Sequence, residues 1–330
     1  MPQPEVVDVL ASGDPVAAFA RAHRAACLVA LPTSGTAGMP RTIVRTTRSW
    51  VDSFPYVSDL LGFGPASRVW VPGPLTATMN LFAAAHADWA GASRVEVQDH
   101  PTHAHLTPTA LRREIATRSD QLAGVHVLVA GDRLDRATYD AARDAGVLVS
   151  HYYGAAELSF VAWGHHAEDL RPFPGVEVSA RDGQLWVRSP YLCEAYLEAE
   201  VTPRRDDGGW MTVGDRGDLT DGLVTVHGRE GGITTGGATV LVADVERLLR
   251  RHTSGDVVVV GVPHPDLGQV VAAAVSAEDD VDGLRAVARR LLAPAQQPRR
   301  WVHLDPLPLT VHGKVDRVAV AAFVTAGAHR

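Results

Sequence analysis

Apolar and polar positions follow two different patterns in the first half of the chain. Short apolar runs of strand length are interleaved with segments whose apolar positions recur every three or four residues, which is helical spacing. The predicted strands are 27–31, 42–46, 68–72, 93–97, 125–130 and 147–151. The predicted helices are 15–26, 50–61, 79–90, 107–118 and 134–145. Strands that alternate with helices of this length indicate β-α-β units and a parallel sheet.

The pattern changes beyond residue 157, where short strands are separated by turns. The predicted strands there are 158–163, 176–180, 184–189, 210–213 and 223–227. Their spacing indicates an antiparallel, barrel-like part. The glycine-dense stretch 228–237 then precedes a second series of helices and strands. We therefore predict an α/β protein whose large N-terminal domain (1–228) combines a mostly parallel sheet with the barrel-like part, followed by a small α+β C-terminal domain (229–330).

Charge and cysteine content limit the possible partners and the cellular location of the protein. The 31 basic and 38 acidic residues give a net charge of −7, and no basic block is present that would follow a nucleic-acid backbone or an anionic membrane. Two cysteines are too few for a disulfide framework, and the start does not resemble a signal peptide, so we expect a cytoplasmic protein. Lys314 is the only lysine among the basic residues, which draws attention to it.

The stretch from Thr33 to Arg41 has the composition of a phosphate-binding loop. Its glycines permit close backbone approach, its amides and hydroxyls can donate to anionic oxygens, and Arg41 adds a forked positive charge. It is not a Walker loop, because it lacks the terminal Lys followed by Ser or Thr. An ordinary surface turn is the alternative interpretation.

Two motifs in the middle of the chain suit a nucleotide. In the stretch 151–157, Tyr153 could stack on a base and Glu157 could hold a divalent metal ion. Asp215 follows a predicted strand in a tight turn, where it could accept hydrogen bonds from ribose hydroxyls. A packed strand end and plain turn chemistry are the respective alternatives.

Two further positions carry a charge next to a glycine. Arg229 follows Gly228, either as a ligand contact or at the end of a hairpin. Lys314 follows Gly313 in a C-terminal loop, where a solvated surface lysine is the usual interpretation.

The sequence gives little support for a histidine metal site or for serine hydrolase chemistry. The histidine pairs 103/105 and 165/166 lack a third ligand nearby, so surface histidines are favoured over a metal site. The sequence has no G-x-S-x-G elbow of the kind that serine hydrolases use.

The order of these motifs is more specific than any one of them. The chain contains TSGTAGMPR, YYGAAE, GQLWVRSP, GWMTVGD, GRE and PLTVHGKVDR in this order. Over residues 26–325 it resembles the adenylate-forming superfamily of acyl-CoA synthetases and adenylation domains.

The resemblance implies roles for individual residues. ATP phosphates are expected at Thr33, Ser34, Gly35, Thr36, Gly38 and Arg41. Tyr153, beside Gly154, is expected to stack on adenine, and Asp215 and Arg229 to bind the ribose. Glu157 is expected to meet Mg²⁺, and Lys314 to bridge the substrate carboxylate and the α-phosphate. The acid pocket is expected at Ala77, Gly131, Arg133, Tyr152 and Phe160.

Several positions depart from the family pattern. Arg41 stands where the family usually has Lys, and Ala156 where it usually has Thr. Ala77 replaces a gating histidine or aromatic residue, and Gly231 falls at a hinge position, where we expect it to make the pivot permissive. Only 32 residues precede the loop, so we expect part of one sheet layer to be missing, as in short ligases of the o-succinylbenzoate type. A partner subunit, most simply in a homodimer, is expected to cover the surface left apolar.

The expected function is an ATP- and Mg²⁺-dependent carboxylic acid:CoA ligase that acts through an acyl adenylate, with CoA as co-substrate. One rival loads the acid onto the phosphopantetheine thiol of a carrier protein or passes it to an amine. A rival of another class is a non-catalytic nucleotide-binding protein, suggested by Ala156, Gly231 and the short front. Lys314 argues against that rival, since a scaffold does not need it.

Overall fold

The computed structural model describes residues 5–33, 41–198, 202–229, 232–235, 238–264, 267–311 and 313–326. Its contacts divide the chain into two compact units. The first comprises Met1–Val226 and Val311–Lys314, and the second comprises His227–Thr310 and Val315–Arg330. The segment Val311–Lys314, which the sequence analysis assigned to the second domain, therefore belongs to the first unit.

The described helices and strands are as follows. The helices are α1 (Pro15–Arg24), α2 (Arg48–Val51), α3 (Phe54–Leu61), α4 (Thr78–Trp89), α5 (Pro108–Leu122), α6 (Arg136–Asp144), α7 (Val242–Arg250), α8 (Val281–Leu291) and α9 (Arg317–Ala326). The strands up to the first long hairpin are β1 (Val6–Asp8), β2 (Leu28–Pro32), β3 (Thr42–Thr46), β4 (Arg68–Trp70), β5 (Ser93–Val95), β6 (His103–Leu106), β7 (His126–Val129), β8 (Leu148–Ala155) and β9 (Ser159–Gly164). The later strands are β10 (Arg171–Pro172), β11 (Glu177–Arg181), β12 (Gln184–Arg188), β13 (Ala195–Tyr196), β14 (Arg204–Arg205), β15 (Met211–Thr212), β16 (Asp215–Thr220), β17 (Leu223–Arg229), β18 (Ile233–Thr235), β19 (Ala238–Val240), β20 (Val257–His264), β21 (Gly268–Val275) and β22 (Arg300–His303).

A seven-stranded sheet in the order β10-β9-β8-β7-β6-β4-β5 forms the centre of the first unit. Strands β4 to β8 pair in parallel, and α4, α5 and α6 connect β4 to β5, β6 to β7 and β7 to β8. The predicted β-α-β units are therefore confirmed. Strand β9, predicted as part of the separate antiparallel region, instead pairs antiparallel with β8 and extends this sheet.

Side-chain caps set the starts of the connecting helices. The Thr107 Oγ1 accepts a hydrogen bond from the Ala110 N–H, and Pro108 occupies the first turn of α5, where a missing N–H costs nothing. Asp135 caps α6 in the same way through the Thr138 N–H at 2.8 Å. The predicted end of α5 at Arg118 coincides with a non-helical φ of −153°, after which the helix resumes as far as Leu122.

Strand β6 was missed by the sequence analysis, which placed surface histidines there. His103 and His105 are instead buried on an inner strand of the parallel sheet, between β4 and β7. Burial lowers the pKa of His105 to about 3, so its imidazole is neutral at physiological pH and behaves as a moderately polar core group. His166 is also buried, whereas His165 is exposed and pairs with Asp169 at 2.9 Å.

Two smaller sheets complete the first unit. In one, β1 lies parallel to β2, and β2, β3 and β13 pair antiparallel. The other follows the order β14-β15-β12-β16-β17, with β11 paired to β12, and is antiparallel as predicted.

The second unit is the predicted small α+β fold. Its sheet runs β19-β18-β21-β20, and β22 lies parallel to β21. Alternate residues of β20 face two separate cores: Val257 and Val259 pack in the core that contains α7 and α8, whereas Val258 and Val260 pack in the core that contains α9. A continuous apolar run forms this strand because both of its faces are covered.

Candidate active site

The glycine-rich loop joins β2 to β3, and the two residues at its base are bonded to each other. The Thr33 N–H donates to the Arg41 carbonyl at 2.7 Å, and the Arg41 N–H donates to Thr33 Oγ1 at 3.0 Å. The loop is thus closed as an extension of the antiparallel β2–β3 hairpin. Four of the predicted phosphate contacts lie outside the described residues: Ser34, Gly35, Thr36 and Gly38.

Arg41 and Glu157 are brought together by a residue that the sequence analysis did not single out, Tyr196. Its hydroxyl donates to Glu157 Oε1 at 3.0 Å, and the Arg41 guanidinium carbon lies 5.3 Å from the centroid of its ring. Burial and the neighbouring Glu157 carboxylate raise the pKa of Tyr196 to about 12, so the phenol stays protonated and donates.

The Glu157 carboxylate suits a hard divalent cation. It is 7 % exposed, and its Oε1 accepts the Tyr196 hydroxyl, whereas no side chain in the described part of the chain donates to Oε2. Mg²⁺ prefers carboxylate oxygens combined with water and phosphate oxygens, so one acidic side chain fits a metal carried by a nucleotide. The described residues contain no cluster of three or more His, Cys, Asp or Glu side chains that could form a cage made of protein groups alone.

Arg45 is a second basic residue near Glu157 that the sequence analysis missed. The side chain is 0 % exposed, its Nη2 donates to the Tyr191 carbonyl at 3.0 Å, and its guanidinium lies 5.5 Å from the Trp50 ring centroid. Burial lowers the pKa of Arg45 to about 10, which still leaves it charged at neutral pH. The negative charge of Glu157 opposes this shift, so a buried positive charge lies within electrostatic range of the candidate metal ligand.

Arg41, Tyr196 and Glu157 form the first group of contacts at the site, and Tyr153 and Asp215 form the second. The Tyr153 hydroxyl donates to Asp215 Oδ2 at 2.8 Å, which joins the end of β8 to the start of β16. The strand predicted for this stretch ended at residue 151, but β8 continues to Ala155 and carries an irregularity between Tyr153 and Gly154. Glycine is required at 154, because a Cβ there would lie 2.1 Å from the Ser159 carbonyl oxygen. Arg229 ends β17, and its side chain is outside the described part of the structure.

Lys314 and Gly131 form a third group, within the first unit. Gly131 follows β7 with φ +91°, and a Cβ built on it would lie 2.9 Å from Lys314 Cε and 3.7 Å from Nζ. The Thr107 hydroxyl, directly after β6, donates to the Gly313 carbonyl at 3.3 Å. Since β6 and β7 are parallel neighbours, Lys314 lies at the carboxyl edge of the sheet, where open α/β folds bind their ligands.

The remaining predicted pocket residues are placed as follows. Ala77 precedes α4, whose first residue Thr78 donates from its hydroxyl to the Pro32 carbonyl at 2.7 Å; this contact fixes the helix start beside the end of β2. Arg133 pairs with Glu168 at 3.2 Å.

Tyr152 and Phe160 belong to an aromatic cluster. Their ring centroids are 4.4 Å apart, Trp163 stacks on Tyr152, and Phe160 is 2 % exposed. Burial raises the pKa of Tyr152. Phe160 is therefore packed in the core of the first unit.

A surface cavity of about 450 Å³ lies elsewhere, in the second unit. Acidic residues and Trp301 line it, and none of the predicted site residues does. The candidate site is therefore defined by the three groups of contacts in the first unit.

Comparison with known proteins identifies the family to which the chain belongs. Residues 244–314 match the AMP-binding enzyme C-terminal domain. The chain belongs to the adenylate-forming superfamily of AMP-binding enzymes. Among its relatives is the 2-succinylbenzoate-CoA ligase of Salmonella typhimurium, which is 30% identical over 329 residues that cover 93% of this chain and 71% of the relative.

Two solved structures are also similar to this chain. A variant of E. coli MenE with bound OSB-AMS superimposes with a TM-score of 0.80 at 26% identity, covering 91% of this chain and 69% of that protein. The amide bond synthetase McbA from Marinactinospora thermotolerans superimposes with a TM-score of 0.76 at 26% identity, covering 89% and 69% of the two chains. No helix in the described part of the chain has both the length and the apolar character needed to span a bilayer.

Proposed function

We propose that this chain is an ATP- and Mg²⁺-dependent carboxylic acid:CoA ligase that acts through an acyl adenylate. The observation that carries the proposal is the position of Lys314, the only lysine of the chain, against Gly131 at the carboxyl edge of the parallel sheet. An ammonium group at the ligand-binding edge suits a reaction that concentrates negative charge on a phosphate.

The side chains of the three groups have separate roles in the first half-reaction. Arg41 and the base of the glycine-rich loop bind the phosphates of ATP, while Tyr153 and Asp215 bind the nucleoside. Glu157 holds Mg²⁺, which neutralises phosphate charge when bound. The substrate carboxylate attacks the α-phosphorus, the bond to the bridging oxygen breaks and pyrophosphate leaves. Lys314 stabilises the charge that develops between carboxylate and α-phosphate, which lowers the barrier more than it stabilises the bound substrates.

In the second half-reaction, the thiol of CoA attacks the acyl carbonyl and AMP leaves. The names of the relatives support CoA as acceptor, and 2-succinylbenzoate is the first acid to test. The similarity to McbA favours one second candidate, in which an amine takes the acyl group instead.

Cellular location and oligomeric state are further parts of the proposal. We place the enzyme in the cytoplasm, as a homodimer. The aromatic residues Tyr56 and Trp89 are 44% and 48% exposed, and a partner subunit would cover such surface. A monodisperse monomer in light scattering at micromolar concentration would contradict the homodimer.

Product analysis tests the function. The purified protein is incubated with ATP, MgCl₂ and a panel of aryl, short-chain and amino acids, each with CoA, with a carrier protein or with an amine, and the products are identified by mass spectrometry. We expect an acyl-CoA for at least one acid. An amide or acyl-carrier product without acyl-CoA would favour the second candidate or the carrier-protein rival, and nucleotide binding without any product would favour a non-catalytic role.

A further inference from the structure

We propose that Tyr196 is a positioning residue that couples the cation of the glycine-rich loop to the metal-binding carboxylate. The inference rests on the proposed function, since it concerns how Arg41 and Glu157 are presented to Mg²⁺ and ATP. It does not depend on the identity of the acid or of the acceptor.

The hydroxyl of Tyr196 orients Glu157. It donates to Oε1 at 3.0 Å, so the carboxylate is held with Oε2 directed away from this hydrogen bond. Hydrogen bonds to an ionised acceptor are stronger than those between neutral groups, and partners of metal-binding carboxylates fix the orientation of the ligand. Because Glu157 is almost fully buried, a rotation of its carboxylate that breaks this hydrogen bond would leave the oxygen with little water to replace the donor.

The ring of Tyr196 provides the platform for Arg41. The guanidinium carbon lies 5.3 Å from the ring centroid, within the range of a cation–π contact. A planar guanidinium can stack on the ring and still direct its donors sideways, whereas an ammonium on a flexible stem gains less from such a surface. This contact gives a physical reason for arginine at a position where lysine is usual in the family.

The backbone holds Tyr196 in place on both sides. Tyr196 pairs with Ile43 and Ala195 with Val44 in the β13–β3 ladder, and the Leu197 N–H donates to the Thr42 carbonyl at 2.7 Å. The Glu198 carboxylate in turn accepts the Thr42 N–H at 3.0 Å. The edge of β3 that pairs with β13 is thus fixed directly after Arg41, so the ring and the hydroxyl of Tyr196 are preorganised.

Binding of ATP, measured by calorimetry with and without MgCl₂, tests the role of the hydroxyl. In Tyr196→Phe the ring under Arg41 is kept, while the hydroxyl that hydrogen-bonds to Glu157 and also interacts with Arg41 is lost. We expect metal-free ATP binding to change little, because the ring contact of Arg41 remains, while the gain in affinity on adding MgCl₂ falls roughly ten- to a hundredfold. The matched control is Tyr191→Phe, because the hydroxyl of Tyr191 donates to the Pro174 carbonyl at 3.1 Å and takes no part in the site.

A double-mutant cycle tests the role of the ring. Arg41→Lys should weaken ATP binding in the wild-type background but add little in a Tyr196→Leu background, since the stacking surface is already gone. Additive effects of the two substitutions would overturn the coupling. Unchanged magnesium dependence in Tyr196→Phe would overturn the positioning role while leaving the proposed function intact. Failure of the wild type to bind ATP would overturn the proposed function itself, and this inference with it.

Discussion

Replacement of Gly131 by alanine is the most informative single change at the candidate site. The added methyl group would lie 2.9 Å from Lys314 Cε, well inside an ordinary carbon–carbon contact of 3.5 to 4.0 Å. The residue also adopts φ +91°, which alanine enters only with strain. The substitution therefore perturbs both the backbone and the position of the catalytic ammonium group.

The two effects have different magnitudes. A non-glycine residue at this φ costs about 1–2 kcal/mol, which lowers the melting temperature of a unit of this size by roughly 2–8 °C. The lysine side chain is flexible and relieves the contact by moving, by up to about 1 Å. Misplacement on this scale costs on the order of a hundredfold in rate. Activity should therefore fall much further than stability.

Thermal unfolding and acid-dependent ATP–pyrophosphate exchange separate the two effects. Gly124→Ala is the matched control: its φ is +78°, so it carries a similar strain, but no atom lies within 4 Å of a Cβ built there. We expect both variants to melt below the wild type and only Gly131→Ala to lose exchange activity. If the two variants retain equal exchange activity, Lys314 does not act from its position at Gly131.

Three further changes have defined outcomes. Lys314→Ala should lower adenylation about a hundred- to a thousandfold, yet still consume synthetic acyl adenylate in the presence of a thiol; equal loss of both half-reactions would contradict its assigned role. Gly154→Ala should prevent stable folding, as measured by circular dichroism, because its methyl group would lie 2.1 Å from the Ser159 carbonyl oxygen; a wild-type melting curve would contradict this. Burial lowers the pKa of His86 to about 4 and of His105 to about 3, so only the unfolded chain gains these protons as the pH falls below about 6.5. The free energy of unfolding should decrease from pH 6.5 towards pH 4 by roughly 1.4 kcal/mol per pH unit for each histidine, and His105→Leu should flatten the decrease if the variant folds.

Local patterns predicted most of the regular structure. Helical spacing located α4, α5 and α6, and their alternation with apolar runs indicated the parallel sheet that the structure confirms. The prediction failed at β6, because its two histidines interrupt the apolar run and look polar in sequence. Their imidazoles are neutral in the core, and sequence pattern alone does not report a protonation state that burial determines.

The candidate site was predicted only in part, for a related reason. Motifs identified Glu157 and Arg41 separately, and Tyr153 and Asp215 separately, but not the residue that joins the first pair. Tyr196 lies in a strand of two residues, which is too short to leave a periodic signal, and it meets Arg41 only through long-range pairing of β13 with β3. Contacts of this kind become visible only once the fold is known.

Acid-dependent exchange of labelled pyrophosphate into ATP shows whether the protein forms an acyl adenylate and whether Lys314 is needed for it. The wild type is assayed with MgCl₂ and each acid of the panel, beside Lys314→Ala as the matched variant and without acid as the blank. We expect exchange for at least one acid in the wild type, and exchange lower by about a hundredfold or more in Lys314→Ala. Exchange that persists near the wild-type rate in Lys314→Ala, or wild-type protein that binds ATP but exchanges with no acid, would contradict this expectation.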